Sequence, residues 1–148
     1  MKRGVLAARR ERAQAVNDLV DVIAARGRHF FRGDVAQDGR CRVGRMEVDD
    51  AGRCWWVDER SAARIYTHYT GRWRRFSHGG SLRHVVLCFR RYVTHGTAMP
   101  PVFGPWPDSF CGGDPWGYGA EAMAQIRTEA AQLGLTVAGA AVLPGGAQ

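Results

Sequence analysis

The run Arg72-Trp73-Arg74-Arg75-Phe76-Ser77-His78-Gly79-Gly80-Ser81 concentrates residue types that handle anions. Guanidinium groups bind phosphate in a planar fork and stack on bases, which an ammonium does not. Ser81 is a sound N-cap, and the glycines ahead of it let an anion approach the backbone. The unpaired amides and the positive dipole end of the helix that follows complete a phosphate seat. Tyr66, Tyr69, Trp73 and Phe76 alternate with Arg64, Arg72, Arg74 and Arg75. That mixture can stack bases while neutralising phosphates. The same letters also build ordinary half-buried strands, and glycines before a cap also serve a plain strand-to-helix turn.

Other chemistries find less support. Neither Gly-x-x-x-x-Gly-Lys-Ser/Thr nor Gly-x-Gly-x-x-Gly occurs, so the usual nucleotide-binding loops are missing. His84 and Cys88 stand four apart on a helix, with His78 or His95 nearby, but Cys88 borders the apolar stripe and reads as a buried thiol. No metal ligand set and no cofactor is expected. Cys111, in Phe110-Cys111-Gly112-Gly113-Asp114, is a nucleophile by type, yet no spacing rule pairs it with a histidine.

The charge map carries the argument further than the net charge of +7. Residues 1–59 hold 12 basic and 10 acidic side chains, whereas residues 60–107 hold eight Arg and no Asp or Glu. Residues 108–148 hold Arg127 against four acids. An anionic partner feels the local patch, which here is the middle third. Twenty of the 21 basic residues are Arg, a bias that a GC-rich genome also produces, but such a bias does not remove acids from 48 consecutive positions.

The elements that must position these residues follow from periodicity. Gly4 to Arg26 reads as a helix with Val16, Leu19, Val20 and Ile23 in one stripe. His29 to Arg32 is a candidate short strand and residues 33–42 a loop. Val43 to Asp49 and Arg53 to Asp58 flank Asp50-Ala51-Gly52 as a hairpin. Ile65 to Tyr69 and Arg72 to Phe76 flank Thr70-Gly71 as a second hairpin, and the composition leaves open which of its faces meets solvent. From Ser81 a helix buries Leu82, Val85, Val86, Phe89 and Val93 and shows Arg83 and Arg90 on a polar flank. Residues 97–119, rich in Pro, Gly and Trp, form a long loop that is either packed through Phe103, Trp106, Phe110, Trp116 and Tyr118 as a lid over the core or a binding surface. Ala120 to Leu133 is the last helix, with Met123, Ile126, Ala130 and Leu133 on one side.

The expectation is therefore one α+β domain over residues 1–134, with an antiparallel four- or five-stranded β-meander flanked by N-terminal, middle and C-terminal helices. Residues 1–12 read as a basic helical extension and residues 135–148 as a flexible tail, with a short strand possible at 135–137. At 148 residues with 45% apolar side chains, one packed core is affordable. No apolar run is long enough to span a membrane or to form a secretion signal, which points to a cytoplasmic protein whose four cysteines stay reduced.

The strings Arg64 to Leu82 (RIYTHYTGRWRRFSHGGSL) and Asp114 to Gly119 (DPWGYG) are similar to small uncharacterised proteins of phages and integrated elements in high-GC proteobacteria. That resemblance implies a mobile-element accessory protein, one that binds nucleic acid or blocks a host defence or replication machine. It brings no catalytic residue with it. The helix–strands–helix order is also similar to the double-stranded RNA-binding domain, without its Lys-rich last helix, and to three-stranded DNA readers, which lack the Pro/Trp loop. The leading expectation is non-enzymatic binding of DNA or RNA by Arg72, Arg74, Arg75, Arg83 and Arg90. Trp73 or Tyr66 would stack, and His78, Gly79, Gly80 and Ser81 would form the anion seat. The alternative is an inhibitor that binds a host protein or nucleoprotein complex, and a third reading is an enzyme with a Cys/His site.

Overall fold

The computed structural model describes residues 2–25, 31–35, 41–99 and 119–136. The first helix, α1 (Arg3–Ala24), buries the expected Val16, Leu19, Val20 and Ile23. Its basic first half does not stand apart. Arg9 Nη1 donates to the Gly52 carbonyl at 2.6 Å, Arg10 Nη2 pairs with Asp50 at 2.9 Å, and Arg12 Nε donates to the Val93 carbonyl at 2.9 Å.

Strands β1 (Arg32–Val35) and β2 (Cys41–Val43) pair antiparallel and extend into residues 33–42, for which the composition predicts a loop. Strands β3 (Arg45–Val48), β4 (Cys54–Val57) and β5 (Arg64–Tyr66) make a separate three-stranded antiparallel sheet in that order. The α+β class is as expected and the count of five antiparallel strands lies within the expected four or five, but the strands divide into two sheets. The β3–β4 hairpin turns where predicted, with Gly52 at φ +83°, a conformation that favours glycine.

Alternation sorts the two faces of the larger sheet. Met46, Trp56 and Ile65 form one cross-strand row that is buried, while Glu47, Trp55 and Tyr66 form the neighbouring row on the other face. α1 packs along β3, and Asn17 seals that strand's outer edge, accepting from Met46 N at 2.8 Å and donating to Met46 O at 3.0 Å. This pairing leaves no open backbone groups at Met46 on an otherwise exposed sheet edge.

α2 (Gly80–His95) buries Leu82, Val85, Val86, Phe89 and Val93, as its periodicity predicts, and ends at Gly96 with φ +71°. Its N-cap is Gly79 rather than Ser81, which lies inside the first turn. α3 (Ala120–Gln132) adds Met123, Ile126 and Ala130 to the core. Beyond it the chain stays seated for two residues: Leu135 is buried, and Thr136 bridges in parallel to Met99. Among the described residues no helix is long and apolar enough to cross a membrane.

The second hairpin does not form. β5 stops at Tyr66, and Thr67 turns its N–H and its hydroxyl onto the Cys54 carbonyl, at 3.2 and 2.7 Å. Gly71 is not in the left-handed region that a two-residue hairpin turn requires. Instead residues 67–79 fold as consecutive turns that bury Trp73, and Arg75 takes φ +67°. Burial of a tryptophan, together with hydrogen bonds onto the carbonyls of these turns, outweighs the short ladder the hairpin would have gained.

Candidate nucleic-acid interface

The outward row of the sheet supplies the floor of a groove. Trp55 and Tyr66 are half-buried there, their rings 5.1 Å apart and inclined by 43°. Arg64 lies over the Trp55 face with its guanidinium carbon 4.5 Å from the ring centroid, and Glu47 holds it through a 3.2 Å bond. Tyr69, Arg72 and Arg74 from the turns complete a cavity of about 410 Å³. Tyr69 is 59% exposed, a large fraction for an aromatic ring. Gly71 permits its position, because a Cβ there would stand 2.6 Å from the Tyr69 hydroxyl.

A smaller cavity of about 250 Å³ adjoins the first and shares Arg72 and Trp73 with it. It opens at the start of α2, and Arg75, His78, Gly79, Gly80 and Arg83 line it. No side chain caps the helix, and open space surrounds the positions where Gly79 and Gly80 would carry a Cβ. The first-turn amides and the dipole therefore face a cavity whose charged groups are arginines.

The predicted cations divide into two groups. Arg83 gathers the carbonyls of Tyr69, Thr70 and Gly71 at 3.0 to 3.3 Å and covers the Trp73 ring at 4.5 Å. Arg75 Nη2 donates to the Ser61 carbonyl at 2.9 Å, and Arg90 Nη1 to the Thr67 carbonyl at 2.8 Å. These three hold the turns in place and keep their charge, since a carbonyl neutralises nothing. Arg72 and Arg74 are exposed, and neither side chain has a partner among the described residues. Trp73 is 5% exposed, and its indole N–H donates to the Tyr69 carbonyl at 2.8 Å. Its ring is a wall between the two cavities with almost no face open to a ligand, and the other aromatic rings that line the larger cavity are Trp55, Tyr66 and Tyr69.

Two carboxylates fix this surface from below, and sequence reasoning did not single them out. Asp58 is fully buried and accepts four hydrogen bonds: from Arg60 N at 3.0 Å, Ser61 N at 2.9 Å, Ser77 N at 2.7 Å and Ser77 Oγ at 2.6 Å. Burial works to raise its pKa, but the Ser61 N–H, the Ser77 hydroxyl and N–H, and the Arg60 N–H outweigh it and hold the carboxyl below the usual range. Glu59, 2% exposed, meets His78 Nε2 at 2.6 Å. Phe31 closes over that pair, its ring edge-on to both His78 and Trp56. A partner 19 residues downstream leaves no local spacing signal. Trp55 did leave one, since alternation through Cys54-Trp55-Trp56-Val57 sends one tryptophan inward and one outward.

Cys88 is buried and its thiol is pushed up by burial, while His84 is exposed. Cys54 and Cys88 are free thiols. Cys111 and most of the Pro/Gly/Trp loop lie outside the described residues, as does the tail beyond residue 136.

The fold and the two cavities define a small α+β domain with a basic, aromatic groove on one sheet face and an uncapped helix start beside it. The YoqU family model matches residues 7–140, and the chain belongs to the YoqU family. No curated protein and no solved structure matches it.

Proposed function

We propose that this chain is a non-enzymatic nucleic-acid-binding accessory protein of a phage or mobile element. A single strand of DNA or RNA would lie along the groove. The observation that carries the reading is the pair of arginines without partners among the described residues, Arg72 and Arg74, beside a cavity lined by Trp55, Tyr66 and Tyr69. Phosphates would meet Arg72, Arg74 and the start of α2, and bases would stack on Tyr69 and Tyr66. The resemblance of Arg64–Leu82 and Asp114–Gly119 to mobile-element proteins supports the biological setting.

The test is fluorescence polarisation with labelled single- and double-stranded DNA and RNA oligonucleotides across a salt series. The logarithm of affinity should fall linearly with the logarithm of salt, by about 0.7 per phosphate neutralised on a single strand. Changing both Arg72 and Arg74 to Ala should reduce that slope by roughly 1.4. Tyr69→Ala should weaken binding by about 5- to 150-fold, the value of one base stack of about 1 to 3 kcal/mol, with little change in slope. A folded protein that binds no oligonucleotide at low salt refutes the proposal.

A further inference from the structure

Asp58, Glu59 and His78 present one ligand atom each within 4.8 Å of one another, in the interior beneath the groove. Glu59 Oε2 is on His78 Nε2, but Glu59 Oε1 is buried and has no hydrogen-bond partner among the described residues. An ionisable oxygen taken out of water without a partner is costly, and it marks a missing ligand. Asp58 is not exhausted either: three of its four bonds converge on Oδ2, and Oδ1 accepts only from Ser77 N. Two interior carboxyl groups face one imidazole, so the cluster's own three side chains carry more acid than base. Arg42 and Arg45 are the arginines that line the adjoining cavity. Arg42 is exposed and Arg45 is paired with Glu47.

We propose that Asp58, Glu59 and His78 bind one divalent transition-metal ion of the zinc or manganese class. One imidazole nitrogen and two carboxylate oxygens are the donor set such ions accept, and a divalent cation balances the excess of acid among them. The adjoining cavity of about 480 Å³, between α1 and the β2–β4 region, is lined by Asp58, Glu59, Asn17 and Asp21. It provides an entry path and room for water on the remaining coordination positions. Gly44 opens the approach to Glu59, because a Cβ there would stand 3.0 Å from Oε1. The ion would tie the β4–β5 turn to the segment that begins α2. This inference stands apart from the nucleic-acid reading and is tested on the protein alone.

The experiment uses the full chain after stripping with a chelator. Zinc, manganese and cobalt(II) are each titrated by calorimetry and thermal melting, and bound metal is counted by mass spectrometry. One equivalent per chain is expected, with a melting temperature that rises with free metal. The cobalt form should show visible d–d bands without the near-ultraviolet charge-transfer band of a thiolate ligand. Glu59→Gln and His78→Gln should lose the equivalent, and His84→Gln should keep it. The proposal is overturned if folded wild-type protein takes up none of the three ions, the result expected if an ordered water shared with the unpaired Trp56 Nε1 satisfies Glu59 instead. It is equally overturned if folded Glu59→Gln and His78→Gln variants retain the metal, or if cobalt reports a thiolate. Should those variants fail to fold, the wild-type stoichiometry and cobalt spectrum decide alone.

Discussion

Replacing Asp58 with Asn tests whether a buried carboxylate holds the basic surface in place. Three donors converge on Oδ2 at 2.6 to 3.0 Å, and Ser77 N donates to Oδ1 at 2.7 Å. The best asparagine rotamer keeps its oxygen at the Oδ2 position, which sets its NH₂ against the Ser77 N–H, donor against donor. One bond is lost outright, a buried N–H is left unmet, and three charge-assisted bonds become neutral. At about 1.5 to 3 kcal/mol for a bond to a charged group, and allowing for relaxation, the loss is about 3 to 5 kcal/mol. That is a large part of the roughly 5 to 15 kcal/mol available to a domain. At roughly 2 to 4 °C per kcal/mol for a chain of this size, melting should fall by roughly 6 to 20 °C. The carboxyl's folded pKa lies below its unfolded value, so its stabilisation is complete above about pH 4 and is lost as pH falls below that. The gap between wild type and variant should therefore be widest near neutrality and close in acid. Differential scanning calorimetry at several pH values measures both effects. A variant that melts within 2 °C of wild type at pH 7, with an unchanged circular dichroism spectrum, would refute the reasoning.

Two further outcomes follow from close contacts on the same scaffold. Gly44→Ala would place a Cβ 2.5 Å from the buried Trp56 ring, and this overpacking should cost about 1 to 3 kcal/mol in urea denaturation; an unchanged midpoint would show that the ring has room to move. The Asp49 carboxyl is held at about 2, chiefly by the Trp55 indole N–H and then by the Arg53 backbone N–H and guanidinium, so its contribution to stability should be lost between about pH 4 and 2. In Trp55→Phe, NMR titration should find the Asp49 carboxyl displaced upward from about 2, and an unmoved titration would deny the indole its part.

What could be read from the sequence was what repeats at the period of one element. Five apolar residues of α2 and four of α1 recur at helical spacing, and all nine are buried. The β3–β4 hairpin was announced by Asp50-Ala51-Gly52, where glycine takes the left-handed turn position. The Arg-aromatic segment misled because Thr70-Gly71 between alternating residues satisfies the local rules for a hairpin. What overrides them is non-local: Trp73 reaches the core, and Arg83, a full helical turn into α2, collects three carbonyls of the turns. Asp58 and Glu59 were illegible for the same reason, since Ser77 and His78 are 19 residues away.

The acid-free stretch acquires a physical meaning from this arrangement. A loop-rich segment needs hydrogen-bond acceptors to stay ordered, and exposed Asp or Glu would supply them while cancelling the arginines beside them. Here Asp58 and Glu59, immediately upstream of residue 60, do that work from the interior. Arg75, Arg83 and Arg90 bond to carbonyls, which order the chain and leave the charge in place. Along residues 60–107 the only surface salt bridge to a described acid is Arg64 to Glu47. Residues 60–99 are thus ordered without being neutralised, and the positive potential falls on the groove where Arg72 and Arg74 stand without partners among the described residues.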